Sequence, residues 1–287
     1  DEGSESAPDL VDIDGDGDLD MFLAVADATT TSGYAIRHYE NIGVPWKANW
    51  KQVGNNCLPQ METVFSIKHV DLNGDELDDF FATSYSDDNM RFYKNVGTPQ
   101  NPDYVHHPQF DFPLPADCYF SIPSFADMNG DEDQDLWLAW QSSSNARISY
   151  YQNAGTSSVP VWLPPQDYSH LFGSVGALYP SIAAEDTGAD GFIDLLLSNG
   201  FGDVLLLEGI SSTAGPSFAE PVSFDPGERT QGLIPALGDL DGDGYPEILF
   251  GNTAGGLQLY QNPAPSLRIA PRHQTIETGG TITFTAA

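Results

Sequence analysis

The sequence predicts an all-β chain folded as a β-propeller of five four-stranded blades, and three observations carry that reading. An acidic, glycine-punctuated loop recurs five times along the 287 residues. Each copy runs directly into a short apolar segment, and each segment leads into a β-rich stretch that closes on Asn, Gly or Ser. The first residues of the loops lie 59, 56, 59 and 53 residues apart. A fixed period in that range marks a solenoid, a propeller or an array. Four short strands per repeat of about 55 residues, with no helical period anywhere, select the propeller blade.

Each repeat opens with a short strand leading into its loop, at 7–11, 66–70, 121–126, 181–185 and 234–238. The loops follow. In the first, Asp12, Asp14, Asp16, Asp18 and Asp20 alternate with Ile, Gly, Gly and Leu. Five like charges in nine residues repel one another unless a cation sits among them. Oxygens at positions 1, 3, 5 and 9, with a backbone carbonyl at 7, suit a hard divalent ion, and calcium, which takes six to eight oxygens in flexible geometry, fits best. Glycines at positions 4 and 6 permit the sharp turn that aims the oxygens inward. The second loop offers Asp71, Asn73, Asp75, the Leu77 carbonyl and Asp79, and the third Asp127, Asn129, Asp131, the Asp133 carbonyl and Asp135. The fourth offers Asp186, Asp190, the Phe192 carbonyl and Asp194, and the fifth Asp239, Asp241, Asp243, the Tyr245 carbonyl and Glu247. An EF-hand would need a twelve-residue loop between helices. These loops end at position 9 and run into strands, so that reading and the dockerin type are rejected.

The second element of each repeat is a four-residue apolar run, at 21–24, 80–83, 136–139, 195–198 and 248–251, too short for a helix and suited to a strand buried on both faces. The third ends in Tyr39-Glu-Asn41-Ile-Gly43 and its counterparts at Tyr93, Tyr151, Leu207 and Tyr260, where Asn and Gly make a tight turn. The fourth is marked by one aromatic residue, Trp50, Tyr104, Trp162 or Phe218, each 11 residues after the Tyr39-type position and expected to pack between neighbouring blades. In the fifth repeat that position is Pro271, so no fourth strand is recognisable there. Either five blades close the ring, completed by the tail or the N-terminus, or the chain is part of something longer. The expected organisation is a propeller over 1–262 and a strand-like tail over 263–287, where Thr alternates with apolar residues. That tail reads as the last blade's outer strand, or, since it resembles the opening of a bacterial immunoglobulin-like domain, as the start of one.

The formal charge is −32, with 42 acidic residues against ten Lys and Arg. Twenty-two of the acidic residues fall inside the five loops, so the acidity is mostly site chemistry. So few cations cannot neutralise a phosphate backbone, which excludes nucleic acid as a partner and disfavours anionic membrane surfaces. No run of about 18 apolar residues is present, so membrane insertion is not expected. The opening residues read as a processed N-terminus or the edge of an expressed fragment, with no signal peptide. Weak calcium sites of this kind work where calcium is millimolar, which places the protein outside the cell. Cys57 and Cys118, in equivalent linking regions, are either disulfide-bonded to each other or two buried thiols.

The Asp-x-Asp/Asn-Gly-Asp-x-x-x-Asp loop, the apolar strand after it and the Tyr-x-Asn-x-Gly element together resemble the FG-GAP/VCBS repeat family, the integrin-α-like calcium-binding propellers. The resemblance spans nearly all of residues 5–262. It implies loops that bind calcium between the first two strands of each blade, and it carries that role onto the first, second, third and fifth loops. The fourth departs, because Gly188 has no side chain at position 3 and leaves that site weak or empty. The fifth has Glu247 where Asp is usual, and Glu can also bind through two oxygens.

Other residues carry side chains capable of chemistry. His106 and His107 are adjacent on a strand, point to opposite faces and do not chelate as a pair. Trp46 and Trp140 are candidates for sugar stacking, with core packing as the alternative for Trp50. No nucleophile elbow, phosphate-cradling loop or Ser/His/Asp grouping appears, so the chain is not read as an enzyme. The expected function is a secreted, calcium-stabilised module for adhesion or binding, with a protein or glycan ligand on the loop face. Alternatives are a structural subunit of an extracellular assembly, joined through the C-terminal tail, and a polysaccharide-processing enzyme or accessory domain.

Overall fold

In a computed structural model, the chain forms five antiparallel blades arranged in a ring. The structure describes residues 4–44, 47–55, 63–85, 87–143, 145–156, 159–173, 178–212, 215–226, 231–262 and 282–283. Blade one holds β1 (Ser4–Val11), β2 (Asp20–Ala26), β3 (Tyr34–Asn41) and β4 (Asn49–Asn55). Blade two holds β5 (Val64–Val70), β6 (Asp79–Ser84) and β7 (Asn89–Asn95), with an outer strand split into β8 (Tyr104–His106) and β9 (Phe112–Pro113). Blade three holds β10 (Phe120–Ala126), β11 (Asp135–Gln141), β12 (Ala146–Tyr151) and β13 (Gln166–Asp167). Blade four holds β14 (Ser181–Glu185), β15 (Asp194–Ser198), β16 (Val204–Leu207) and β17 (Val222–Phe224). Blade five shows β18 (Ile234–Gly238), β19 (Glu247–Gly251) and β20 (Leu257–Tyr260) among the described residues. No α-helix occurs among the described residues.

The second strands are buried almost end to end, as apolar runs without alternation require: every residue of β6, β15 and β19 is buried. Each is sandwiched between two neighbouring blades. The core is accordingly divided by interface, with one cluster between each adjacent pair of blades. The ring closes between blades five and one. There Trp50, Met21 and Leu23 of blade one pack against Ala236, Leu249 and Leu257 of blade five, and the Ser6 N–H donates to the Asn252 carbonyl at 3.0 Å. Gly251 is needed for this approach, because a Cβ there would lie 2.1 Å from the Ser6 carbonyl oxygen.

The recurring aromatic residues sit between blades. Trp50 is fully buried and donates its indole N–H to the Leu19 carbonyl at 2.9 Å. Truncating such a residue to Ala costs about 3–5 kcal/mol. Tyr104 joins the cluster shared by blades one and two. Trp162 packs edge-on to Phe112, and Phe218 edge-on to Trp137. The Asn-x-Gly turns are built for room rather than for left-handed backbone. The Asn41 side-chain oxygen accepts the Gly43 and Asn49 N–H groups at 3.1 and 2.9 Å, and a Cβ on Gly43 would meet the Lys47 carbonyl at 2.2 Å. In the tail, β21 (Ile282–Thr283) pairs antiparallel with β4, Ile282 opposite Trp50, at the outer edge of blade one.

Candidate metal centres

All five Asp loops lie between the first two strands of their blades and share one hydrogen-bonded frame. The position-1 carboxylate folds the loop onto itself. Asp12 accepts the N–H groups of Gly15, Asp16 and Gly17 at 2.9, 3.1 and 3.0 Å. Asp71, Asp127 and Asp239 repeat the arrangement, and Asp186 keeps two of the three bonds. The position-5 carboxylate accepts the N–H of position 7 in every loop, from Asp18, Leu77, Asp133, Phe192 and Tyr245. The position-9 carboxylate is buried where the second strand begins, and in the first four loops one of its oxygens accepts an N–H from the end of the third strand or just beyond it. Asn41 donates to Asp20 at 2.7 Å, Asn95 to Asp79 at 2.8 Å, Asn153 to Asp135 at 2.7 Å and Gly209 to Asp194 at 2.7 Å. This bond explains why the acidic loop and the Tyr-x-Asn element recur together.

The loops part company at the other oxygen of position 9. In the first loop, Asp20 Oδ2 and Asp18 Oδ1 are buried with no hydrogen-bond partner among the described residues. In the fifth, Glu247 Oε2 accepts the Leu240 N–H at 2.8 Å while Oε1 is buried and orphaned. In these two loops, among the described residues, three carboxylates also converge. Carboxylate oxygens of Asp12, Asp14 and Asp16 lie within 4.8 Å of one another, as do those of Asp239, Asp241 and Glu247. Burial pushes Asp20 up to about 7 against the pull of the Asn41 N–H, and Asp14, Asp16 and Asp12 add to the rise. Burial likewise pushes Glu247 up to about 8, with Asp241 and Asp243 adding to it. A buried anion without a partner is costly. Orphaned anionic oxygens facing a cluster of like charges are the donor set of a hard cation.

The remaining loops satisfy themselves. In the fourth, Asp194 Oδ2 accepts both the N–H of Thr187, at 3.1 Å, and its hydroxyl. In the third, Asp135 Oδ2 accepts the Tyr150 hydroxyl at 2.6 Å and the Met128 N–H at 3.2 Å, and Asn129 turns its amide N–H toward Asp131. In the second, Asn73 gives its amide N–H to Asp79, and Lys94 Nζ sits 2.9 Å from Asp75 and 3.2 Å from Asn73 Oδ1. Thr187, Tyr150 and Lys94 escaped the reading of the sequence, though each breaks the repeat pattern. Thr187 stands where the other loops carry Ile13, Leu72, Met128 and Leu240. Lys94 stands where the other blades carry Glu40, Gln152, Glu208 and Gln261. Tyr150 stands where they carry His38, Phe92, Leu206 and Leu259.

Trp140, the paired histidines and Cys118 have plainer surroundings. Trp140 is half-buried against the core of blades two and three, with its indole N–H on Ser149 Oγ at 3.0 Å. His106 pairs with Asp111 at 3.0 Å while His107 stacks on Phe110, so the two histidines face different partners. The Cys118 thiol contacts the Phe120 carbonyl. Trp46 and Cys57 lie outside the described residues.

Comparison with known families supports the repeats directly. Residues 12–82 and 71–138 match the FG-GAP-like repeat, and residues 232–264 match the FG-GAP repeat. The chain belongs to the FG-GAP repeat family. The FG-GAP matches cover the first, second, third and fifth loops, and the fourth lies between them. No curated protein matches the sequence. Among solved structures, the chain is similar to a GH43_1 enzyme from Xanthomonas citri, at 13% identity and a TM-score of 0.48, covering 95% of this chain and 92% of that one. It is also similar to BBS1N, solved in complex with ARL6DN and soaked with lead, at 13% identity and a TM-score of 0.39, covering 94% of this chain and 67% of that one.

Proposed function

We propose that this FG-GAP propeller is a secreted, calcium-stabilised binding module for a protein or glycan partner. The observation that carries the calcium reading is the pair of buried, orphaned carboxylate oxygens on Asp20 and Glu247. Asp12, Asp14, Asp16, the Asp18 carbonyl and Asp20 would hold one ion, and Asp239, Asp241, Asp243, the Tyr245 carbonyl and Glu247 another. The second and third loops would join them once Asn73 and Asn129 present their amide oxygens and Lys94 withdraws. The fourth loop has no such need. A bound calcium cancels the carboxylate repulsion that the loop otherwise carries. Because the ion binds only the folded loop, its binding free energy adds to stability.

The family's usual extracellular setting and millimolar calcium there fit sites of this type. Among the described residues no helix is long and apolar enough to cross a membrane. Binding is favoured over turnover because the loop carboxylates are engaged in loop structure. The test is calorimetric titration of EDTA-stripped protein with calcium, followed by glycan-array binding in calcium and in EDTA. Two or more sites are expected; absence of calcium binding heat together with an unchanged melt overturns the reading.

One observation favours a second reading, an assembly subunit. The tail strand β21 adds to the outer edge of blade one, and the same edge would accept the tail of a neighbouring copy. Truncation after Asn262 is expected to abolish assembly, and intact assemblies from the truncated chain would end that idea.

A further inference from the structure

The Asp loops occupy one end of the ring, and the other end holds an aromatic cavity that they do not explain. The inner strands β1, β5, β10, β14 and β18 all run toward the loops, so their first residues gather at the opposite end of the axis. The second strands finish at that same end, since Ser84 pairs with Val64 and Gly251 with Ile234. A cavity of about 450 Å³ opens there, and all five blades contribute to its wall. Glu5, Phe65, Tyr85, Tyr119, Phe120 and Tyr179 give it its chemistry.

The rings form a connected wall. Centroid separations are 4.4 Å for Phe65–Tyr85, 5.0 Å for Phe65–Phe120 and 5.4 Å for Phe120–Tyr179. Tyr85, Tyr119 and Tyr179 are 38%, 36% and 42% exposed, so large aromatic surfaces face an open concavity rather than the core. One carboxylate, Glu5, lines the cavity, and no Lys or Arg does so among the described residues. Glu5 accepts the Tyr34 hydroxyl at 3.1 Å and is also hydrogen-bonded by Tyr85 of the wall. Two of these wall residues, Glu5 and Tyr179, have left-handed backbone, with φ of 57° and 51°. Side-chain-bearing residues keep such angles only where the surroundings hold them, and such outliers cluster at ligand sites. At Glu5 the strain coincides with a bulge in β1 between Ser4 and Ala7, and its N–H reaches the Thr253 carbonyl of blade five.

We propose that this axial cavity binds a small organic cation, a quaternary or alkyl ammonium group, either free or presented on a partner's side chain. Aromatic faces attract such a cation through their ring quadrupoles, and Glu5 supplies the counter-charge. The net charge of −32 raises the local concentration of cations. The volume falls within the range of small-molecule pockets. A neutral sugar would stack on the same rings but would draw much less from an anionic Glu5. The site gives the binding-module reading a ligand class, and it stands apart from the calcium loops.

The test titrates the intact chain, in millimolar calcium, with choline and with neohexyl alcohol, its uncharged isostere. Tyrosine fluorescence and calorimetry read the binding. Saturable choline binding is expected, with the alcohol about tenfold weaker or worse. Glu5→Gln should weaken choline several-fold, leave the alcohol unchanged and keep the wild-type melting temperature. Tyr119→Ala should weaken both. A trimethyllysine peptide binding more tightly than choline identifies a presented side chain, and the reverse order identifies a free ligand. Failure of both choline and the peptide to bind, equal affinity for choline and the alcohol, or indifference of choline to Glu5→Gln overturns the proposal. Glycan binding that Tyr119→Ala abolishes, without cation binding, overturns it as well. A melt unchanged by EDTA refutes the calcium reading alone and leaves this result standing.

Discussion

The first and fourth Asp loops follow the same backbone path and differ in how one buried carboxylate is neutralised. In both, position 1 folds the loop and position 9 accepts an N–H from the third strand. Asp194 has its second oxygen filled by Thr187, while the second oxygen of Asp20 is buried and empty-handed. The first loop therefore has a use for a cation, and the fourth carries its substitute in the chain. A third solution lies in blade one itself. Asp9 is as buried as Asp20, but Lys68 Nζ at 2.6 Å and His69 Nδ1 at 2.7 Å meet its two oxygens. Burial works against its ionisation, yet Lys68 and His69 hold it below the usual carboxylate range. What these regions teach is that an acidic motif does not by itself announce a metal; the partner of its deepest oxygen does.

The strongest way to break this comparison is to remove calcium. Two sites, each at about a hundred times Kd, would supply about 5 kcal/mol. At about 2–4 °C per kcal/mol, EDTA should lower the melting temperature by about 10 °C or more. Differential scanning calorimetry with and without EDTA decides it, and coincident melts sink the calcium role. Asp20→Asn and Glu247→Gln should each remove one calcium from the titrated stoichiometry, whereas Asp194→Asn should remove none.

Next in size is Asp9→Ala, which leaves Lys68 and the buried His69 without their anion and should destabilise by about 3–5 kcal/mol whether or not calcium is present. The same group shapes the acid limb. Its folded value lies below the unfolded one, so its contribution is present above about pH 4 and lost as the pH falls through the folded value beneath that. Acid-unfolding curves of Asp9→Asn should lack that component; superimposable curves would show that Lys68 and His69 contribute nothing there.

Thr187→Val tests the substitute in the fourth loop. It strips a hydroxyl donor from buried Asp194 and should cost about 1–3 kcal/mol, seen in urea midpoints. Pairing Thr187→Ile with Gly188→Asp should convert that loop into one that calcium stabilises. Position 188 has the space, since a Cβ there would come no nearer than 3.8 Å to another atom. A double variant blind to calcium would show that something beyond these two side chains sets the loop apart. The smallest effect is expected from Lys94→Gln, which removes the built-in cation over Asp75 and should tighten calcium at the second loop a few-fold. Unchanged affinity in calorimetry would mean that Lys94 already swings clear.

The blades were legible because their signals are local. Alternating carboxylates cannot be core, four-residue apolar runs cannot be helices, and an aromatic residue 11 positions after each Tyr39-type position must recur for one packing reason. The lead-in strand read at 7–11 extends in the structure to Ser4–Val11, and the one read at 181–185 is Ser181–Glu185. The acidic loops were equally legible as residue types and spacings. The state of each loop was not, because Tyr150 and Lys94 reach it from a strand that lies far along the chain from the loop they complete. The Asn-x-Gly turns were legible as tight turns, but not the reason for their glycine: a carbonyl approaching from four residues on excludes a side chain there.

By itself, then, the sequence determined the repeat, the strand that follows each loop and the oxygen-rich chemistry of the loops, since each depends on residues within about ten positions of one another. Tertiary structure alone decided which loops lack a partner for their buried oxygen, how Ser6 and Asn252 close the ring, and which residues meet at the axis. The first depends on side chains brought back onto each loop within its own blade, and the other two on contacts between blades. Glu5, Tyr85, Tyr119 and Tyr179 come from four different blades and share no motif. Only the closed ring, by pointing all five inner strands the same way, brings them to one cavity.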